Sequence, residues 1–315
     1  MKKSENPKIS VVIPCFNAYP YLIESLDSVL DQTLKPFEVI VVNDGSTDSS
    51  LEILNSYLPK IKIINQNNRG VSVARNVGIR HCKGEWIAIQ DADDIWDKEK
   101  LEKQWVAIRS SEEEVVCCYT EVFMFGPKIE RTVCNRPEYH KMKDSLAEML
   151  ANWCVTSNSA LFRSDKCQEI EFPEDVKDGE DDIFFALLRM KGSFVKVNEP
   201  LAGYRIHLGQ RTSNHSHEFQ KLKSKLNWYS QNRILNSQEE KLFFKRLFEN
   251  LNDMYERAYW RRDWNTLKAC RRLYQENFKH LGYRNTNLNK MLPPKLAIQF
   301  KDLIYNRFLS KSKEG

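Results

Sequence analysis

Short apolar runs alternate with amphipathic stretches over the first hundred residues. Ile9 to Ile13 is an apolar run ended by Pro14. Tyr21 to Leu30 then places Leu22, Leu26, Val29 and Leu30 on one helical stripe. Phe37 to Val42 predicts a second buried strand, stopped by Asn43-Asp44-Gly45-Ser46, and a helix follows through Leu51, Leu54 and Leu58. Ile61 to Ile64 predicts a third strand, Val71 to Ile79 a helix, Trp86 to Ile89 a fourth strand and Lys98 to Ile108 another helix. Strands that alternate with helices predict βαβ units and a mostly parallel sheet flanked by helices, an α/β fold. In such sheets ligands gather beyond the carboxyl ends of the strands. The polar residues there are Asn17, Asp44, the loop Asn67 to Gly70, and Asp91 to Asp94.

From residue 110 to 210 the pattern loosens. Strand-like pieces occur at Val115 to Tyr119, Asn158 to Phe162 and Ser193 to Val197, and a helix spans about Asp182 to Met190. Beyond residue 215 only helical stripes rich in Lys, Arg, Trp and Tyr remain. Charge divides at the same place. Residues 211–315 carry 22 Lys and Arg against 10 Asp and Glu, a formal +12, whereas residues 1–210 carry 26 against 33, a formal −7. Two regions with different partners are expected, 1–210 and a basic helical extension over 211–315.

Composition adds exclusions. At 41% hydrophobic and 11% aromatic, the 315 residues can bury a substantial core. No run approaches the roughly 20 apolar residues of a membrane span; the best, Val115 to Phe125, is short and contains Glu121. Met1 to Lys8 lacks an apolar signal core, so a cytoplasmic protein is expected. The eight cysteines form no paired C-x-x-C sets, which argues for free thiols over a zinc site.

The chain lacks G-x-x-x-x-G-K-[ST], and no G-x-G-x-x-G follows the first strand. Asp91-Ala92-Asp93-Asp94 crowds three carboxylates at the end of an apolar strand, a repulsion that a hard divalent cation, Mg2+ or Mn2+, relieves. The same run is equally an acidic helix cap. Asp44 at a strand end can accept from a pyrimidine ring N–H, or simply form the turn before Gly45. Glu180-Asp181-Asp182 opens a helix after Gly179; a carboxylate there can take a proton from a hydroxyl, or merely complement the helix terminus. His207, in Tyr204-Arg205-Ile206-His207, can ligate a metal or be an ordinary histidine.

In order and spacing these pieces resemble the family 2 glycosyltransferases with the GT-A fold. The matching segments run from Ile9-Ser10-Val11-Val12-Ile13-Pro14-Cys15-Phe16-Asn17 through Val41-Val42-Asn43-Asp44-Gly45-Ser46-Thr47-Asp48 to Asn68-Arg69-Gly70-Val71-Ser72-Val73-Ala74-Arg75-Asn76-Val77-Gly78. Gly84 to Asp94, Gly179-Glu180-Asp181 and Tyr204-Arg205-Ile206-His207 complete the set. The resemblance implies that Pro14, Phe16 and Asn17 floor the nucleoside and that Asp44 reads uracil. It places Gly70, Arg75 and Ala92 against the nucleotide, Asp91 near the ribose, and Asp93 on the metal, with Asp94 behind it. Asp181 would be the catalytic base, Glu180 would lie beside the acceptor, and His207 would complete the metal or diphosphate site. It further implies an inverting hexosyltransferase that takes a UDP-sugar with Mn2+ or Mg2+ and acts on a saccharide or lipid-linked saccharide, as in bacterial lipopolysaccharide or capsule synthesis.

Two other readings stand beside it. A nucleotidyltransferase making nucleotide sugars would share the sheet and the metal carboxylate, but it would want a glycine-rich basic loop after the first strand. A non-catalytic binding protein on a transferase scaffold would not need Asp93 and Asp181. In the basic extension, Lys295 to Lys311 sets Leu296, Phe300, Leu303, Ile304 and Phe308 within reach of one helical face. This suits an anionic membrane surface, and hence a peripheral location on the inner face of a membrane. The extension's aromatics could instead pack on the catalytic domain or on a second subunit of a homo-oligomer. Nothing matches a groove-reading motif, so nucleic acid is not an expected partner.

Overall fold

The structure is a computed structural model that describes residues 6–127, 129–134, 145–152, 155–207, 209–210 and 216–284. Lys295 to Lys311 lies outside the described residues. Along the chain come β1 (Ile9–Cys15), α1 (Leu22–Leu30), β2 (Glu38–Asp44), α2 (Ser50–Ser56), β3 (Lys62–Gln66), α3 (Val71–His81) and β4 (Trp86–Ile89). These are followed by β5 (Ile95–Trp96), α4 (Lys100–Ser110), β6 (Val115–Gly126), β7 (Ile129–Val133), α5 (Leu146–Ala151) and β8 (Ala160–Arg163). The remainder is α6 (Glu180–Arg189), β9 (Ser193–Arg205), α7 (Ser216–Asn232), α8 (Ser237–Trp260) and α9 (Trp264–Asn277).

One sheet takes up every strand, in the order β3-β2-β1-β4-β8-β6-β9-β5, with β7 paired to β6. The first four neighbours are parallel, as the alternation predicts. Beyond them β8 is antiparallel to both β4 and β6, and β6 and β9 run parallel. The sheet is therefore mixed, and its parallel part is confined to the βαβ half and to the β6–β9 pair.

Every residue of β1 and β2 is buried, because helices cover both faces. Ile9, Val11, Ile13, Val39 and Val41 share a core with Leu22, Leu26 and Val29 of α1, with Leu54 of α2 and with Leu101 and Trp105 of α4. On the opposite face Ile40 and Val42 pack with Ala74 of α3. Gly78 lets α3 lie close to the sheet: a Cβ there would fall 2.3 Å from Cγ1 of Val12.

The chain divides into two compact units, Met1–Leu247 and Phe248–Gly315. Helix α7 thus belongs with the sheet, although charge and pattern change near residue 211. In the second unit Leu251, Leu267, Cys270 and Phe278 are buried and Trp260 is exposed. Among the described residues no helix is long and apolar enough to cross a membrane, and Cys15, Cys82, Cys117, Cys118, Cys134, Cys167 and Cys270 are free thiols.

Candidate functional site

Because β1, β2 and β4 are parallel neighbours, the segments that leave them lie side by side. Pro14 pairs with Val42 within the sheet, and Phe16, just past the strand, is half exposed. Asn17 adopts a left-handed φ of 48°, which asparagine tolerates. Its Oδ1 accepts from the Thr47 N–H at 2.8 Å, and its own N–H donates to Ser46 Oγ at 3.1 Å. The loop after β1 is thereby fastened to the turn after β2.

Asp44 closes β2 and is buried. Its Oδ1 accepts from Gln66 Nε2 at 2.7 Å and from the Arg69 N–H at 2.9 Å, and its Oδ2 accepts from the Gly70 N–H at 2.8 Å. Gly70, at φ 94°, is the N-cap of α3. Asp44 therefore fixes the loop that launches Arg75, whatever else it contacts.

Arg75 joins two acidic runs that are far apart in sequence. One guanidinium nitrogen reaches Asp91 Oδ1 at 2.9 Å; the other reaches Asp181 Oδ1 at 2.8 Å and Glu180 Oε1 at 3.3 Å. The group lies over the Phe172 ring, 5.2 Å from its centroid. Burial opposes the arginine's charge, but Asp181, Asp91 and Glu180 outweigh it and hold the group ionised. The Glu180 side chain is 2% exposed and that of Asp181 18%, so Asp181 is the one that solvent can reach.

At the end of β4 the three aspartates part company. Withdrawal from water pushes the Asp91 carboxyl up, against the pull of Arg75, and Asp93 and Asp181 push the same way. Asp94 is buried and pushed well above the usual carboxylate range, first by burial and then by Asp93 and Asp91. It accepts from the Arg205 N–H at 2.9 Å and from Asn158 Nδ2 at 2.6 Å. Asp93 instead faces outward, with His207 Nε2 at 3.1 Å from its Oδ2.

The two-residue strand β5 makes that meeting. It pairs Ile95 with Gly203 of β9 and so brings the end of β9 back beside Asp93. A Cβ on Gly203 would fall 2.6 Å from the Phe123 ring and 2.9 Å from Ile95 Cγ1, so the pairing requires glycine. Arg205 locks the junction. It donates to the Asp93 carbonyl at 2.6 Å and to Glu24 at 2.6 Å, and it lies over the rings of Tyr21 and Phe125.

The structure thus brings Asp91, Ala92, Asp93, Arg75, Asp181 and Glu180 together, with His207 against Asp93. Pro14, Phe16, Asn17, Asp44 and Gly70 line the neighbouring strand ends. Asp93 and His207 suit a divalent ion, since a carboxylate oxygen and an imidazole nitrogen are already within a shared reach. Among the described residues no cluster of three or more such ligands occurs, so a cation there would take its remaining ligands from water or a bound molecule. Sequence reasoning missed Asn158, which carries no motif. It also passed over Arg205, although Tyr204-Arg205-Ile206-His207 contained it.

Comparison with known proteins follows the same outline. A family model described as "Glycosyl transferase family 2" matches residues 10–170. A putative glycosyltransferase EpsH of Bacillus subtilis is 27% identical over 292 residues, 88% of this chain and 83% of that protein. An uncharacterised glycosyltransferase of Rickettsia prowazekii is 31% identical over 66% of this chain and 67% of its own length. The chain spans only about a third of two other Rickettsia relatives, 34% of each. Among solved structures, S. aureus TarS 1–349 in complex with UDP-GlcNAc has a TM-score of 0.56 at 17% identity, over 85% of this chain and 92% of that one. Mannosyltransferase PcManGT from Pyrobaculum calidifontis, in complex with GDP-Man and Mn2+, also has a TM-score of 0.56 at 17% identity, over 96% and 81%. The fold is of the GT-A type.

Proposed function

The chain belongs to glycosyl transferase family 2, and from that premise we propose that it moves a sugar from a nucleoside-diphosphate donor to an acceptor hydroxyl, with inversion at the anomeric carbon. The observation that carries this reading is the Arg75 bridge. It ties Asp181 to the strand-end Asp91 through one guanidinium, which supports a reading in which Asp181 serves the acceptor and the strand-end carboxylates serve the diphosphate side. Residues 1–210 carry this chemistry, with the basic helices after them.

In the proposed reaction the acceptor oxygen attacks the anomeric carbon opposite the nucleotide. Asp181 takes the hydroxyl proton, the glycosidic bond forms, and the bond to the diphosphate breaks. Arg75 holds Asp181 in place through their 2.8 Å ion pair. Only one carboxylate acts at the anomeric carbon, so no covalent sugar–enzyme intermediate is needed. Mn2+ or Mg2+ held by Asp93 and His207 would supply positive charge to the departing diphosphate. The donor is read as a UDP-sugar, with Asp44, Gly70 and the loop Pro14 to Asn17 around the nucleoside. The acceptor is read as a saccharide or lipid-linked saccharide.

The test is release of nucleoside diphosphate from a panel of UDP-GlcNAc, UDP-glucose, UDP-galactose and GDP-mannose with Mn2+. Asp181→Asn should lower turnover by roughly 100-fold or more while donor affinity survives. Loss of donor affinity with turnover retained would overturn the assignment.

A membrane-bound acceptor would favour surface docking. Trp260, 81% exposed at the end of α8, is followed by exposed Arg261 and Arg262, a pairing that suits an anionic bilayer surface. Full-length protein should co-sediment with anionic but not neutral vesicles, less so at high salt and less so as Trp260→Ala. Indifference to anionic vesicles at low salt would refute docking.

A further inference from the structure

The acidic run at the start of α6 is held from two sides. Arg75 takes Glu180 and Asp181 on the side of the strand-end Asp91. On the other side Asp182, with its side chain fully buried, is paired by α7: Lys225 Nζ lies 2.5 Å from its Oδ2 and Lys221 Nζ 2.9 Å. Lys225 is itself buried and donates to the Ala151 carbonyl of α5 at 3.0 Å. Lys221 also passes against the α6 N-cap, where a Cβ on Gly179 would fall 3.1 Å from its Cγ. One turn earlier, His217 Nδ1 lies 2.8 Å from Asp178 Oδ1. Helix α7 thus presents a cationic edge to the backbone that carries Asp181.

We propose that Lys221 and Lys225 are positioning residues for the candidate base. By neutralising Asp182 they keep the first turn of α6 in place, with Asp181 turned to Arg75 and the cleft. The proposal rests on the reading of Asp181 as base. The physical argument is charge balance. Three adjacent carboxylates repel one another, and Arg75 is shared by Glu180, Asp181 and Asp91. With no cation on Asp182, its charge would act directly on its neighbour. The groups that bear on Asp181 are Arg75 from α3, Asp91 from the end of β4, Glu180 and Asp182 from α6, and Lys221 and Lys225 from α7, with Asp178 and His217 flanking them.

The experiment follows the carboxyl carbon of Asp181 by NMR in protein labelled at aspartate, the resonance being assigned by its loss in Asp181→Asn. Lys221→Met and Lys225→Met should each raise the Asp181 midpoint, by about one pH unit for Lys225→Met, since like charges close by disfavour ionisation. Asp182→Asn should lower it, because two lysines then act on Asp181 unopposed. Lys225→Met combined with Asp182→Asn should return it towards the wild-type value. The acid limb of kcat on the best donor of the panel should move in the same directions, with UDP affinity unchanged. A merely structural role would lower activity in every variant without shifts of opposite sign. Should Lys225→Met fail to fold, the half-buried Lys221 and the near-isosteric Asp182→Asn carry the test. If the Asp181 midpoint stays put in Lys221→Met and Asp182→Asn, the proposal is overturned. If instead Asp181→Asn keeps full turnover, the base assignment has failed, whatever the midpoints show.

Discussion

The two acidic runs of this chain are alike in composition and opposite in surroundings. Asp91-Ala92-Asp93-Asp94 leaves a strand, and Glu180-Asp181-Asp182 enters a helix. In the second run each carboxylate faces a fixed cation, Arg75 for Glu180 and Asp181, and Lys221 and Lys225 for Asp182. In the first run Arg75 reaches only Asp91, Asp94 is held by neutral N–H donors, and Asp93 meets an imidazole. The carboxyls of Asp91 and Asp94 are accordingly pushed up by burial and mutual repulsion. The helix run has a cation against every carboxylate and suits a proton acceptor of fixed geometry. The strand run is short of positive charge and suits an incoming cation.

The sharpest way to break that contrast is Asp93→Ala. It should abolish transfer, by well over about 100-fold, with the fold intact, and chelation should do the same to the wild type. Full activity in excess chelator would remove the distinction between the runs. A smaller effect is expected at Asp44, the carboxylate at the end of β2, which accepts from N–H donors. Asp44→Ala leaves the Arg69 and Gly70 N–H groups without their acceptor. UDP affinity by calorimetry should fall about tenfold, and unfolding stability by about 1–3 kcal/mol. Unchanged affinity would return Asp44 to the turn.

The smallest effect concerns Lys100, a buried lysine with no carboxylate beside it among the described residues. It donates to Gln104 Oε1 at 2.9 Å and lies 4.0 Å from the Trp96 ring centroid. Burial pulls it from 10.5 down to about 7. Between those values the unfolded chain holds a proton that the folded chain has lost, so this group makes stability rise with pH across that window. From pH 7 to 9 the unfolding free energy should climb by about 2 kcal/mol relative to Lys100→Met, read from urea unfolding at each pH. Parallel profiles would mean that Lys100 finds compensation the lysines of α7 do not need.

The βαβ half was legible because burial on both faces writes itself as apolar runs, and β4 was expected at Trp86 to Ile89, where it lies. The second half was legible only in part: β8 and α6 lie where they were expected, and β6 and β9 begin there. Strand β5 is two residues long, too short for any period. Strands β6 and β9 run on to Gly126 and Arg205, well past the Tyr119 and Val197 at which the apolar pattern stops. Their extensions are half-buried and mix polar with apolar residues, so alternation fades while the ladder continues. The candidate site followed the same divide. The resemblance named Asp93, Asp181 and His207, but Asn158 and Lys225 act through contacts 64 and 43 residues away along the chain, where no local spacing could announce them.

The pairing of α7 with Asp182 also sets a limit on how small the working protein can be. The family match ends at residue 170, and the last strand ends at Arg205. A piece trimmed after His207 would keep the whole sheet and every carboxylate of the cleft. It would also lose both lysines that pair with Asp182, and with them the cover that α7 lays over that carboxylate. The smallest portion that can be transplanted to another carrier, or crystallised by itself, therefore extends at least to Asn232, where α7 ends.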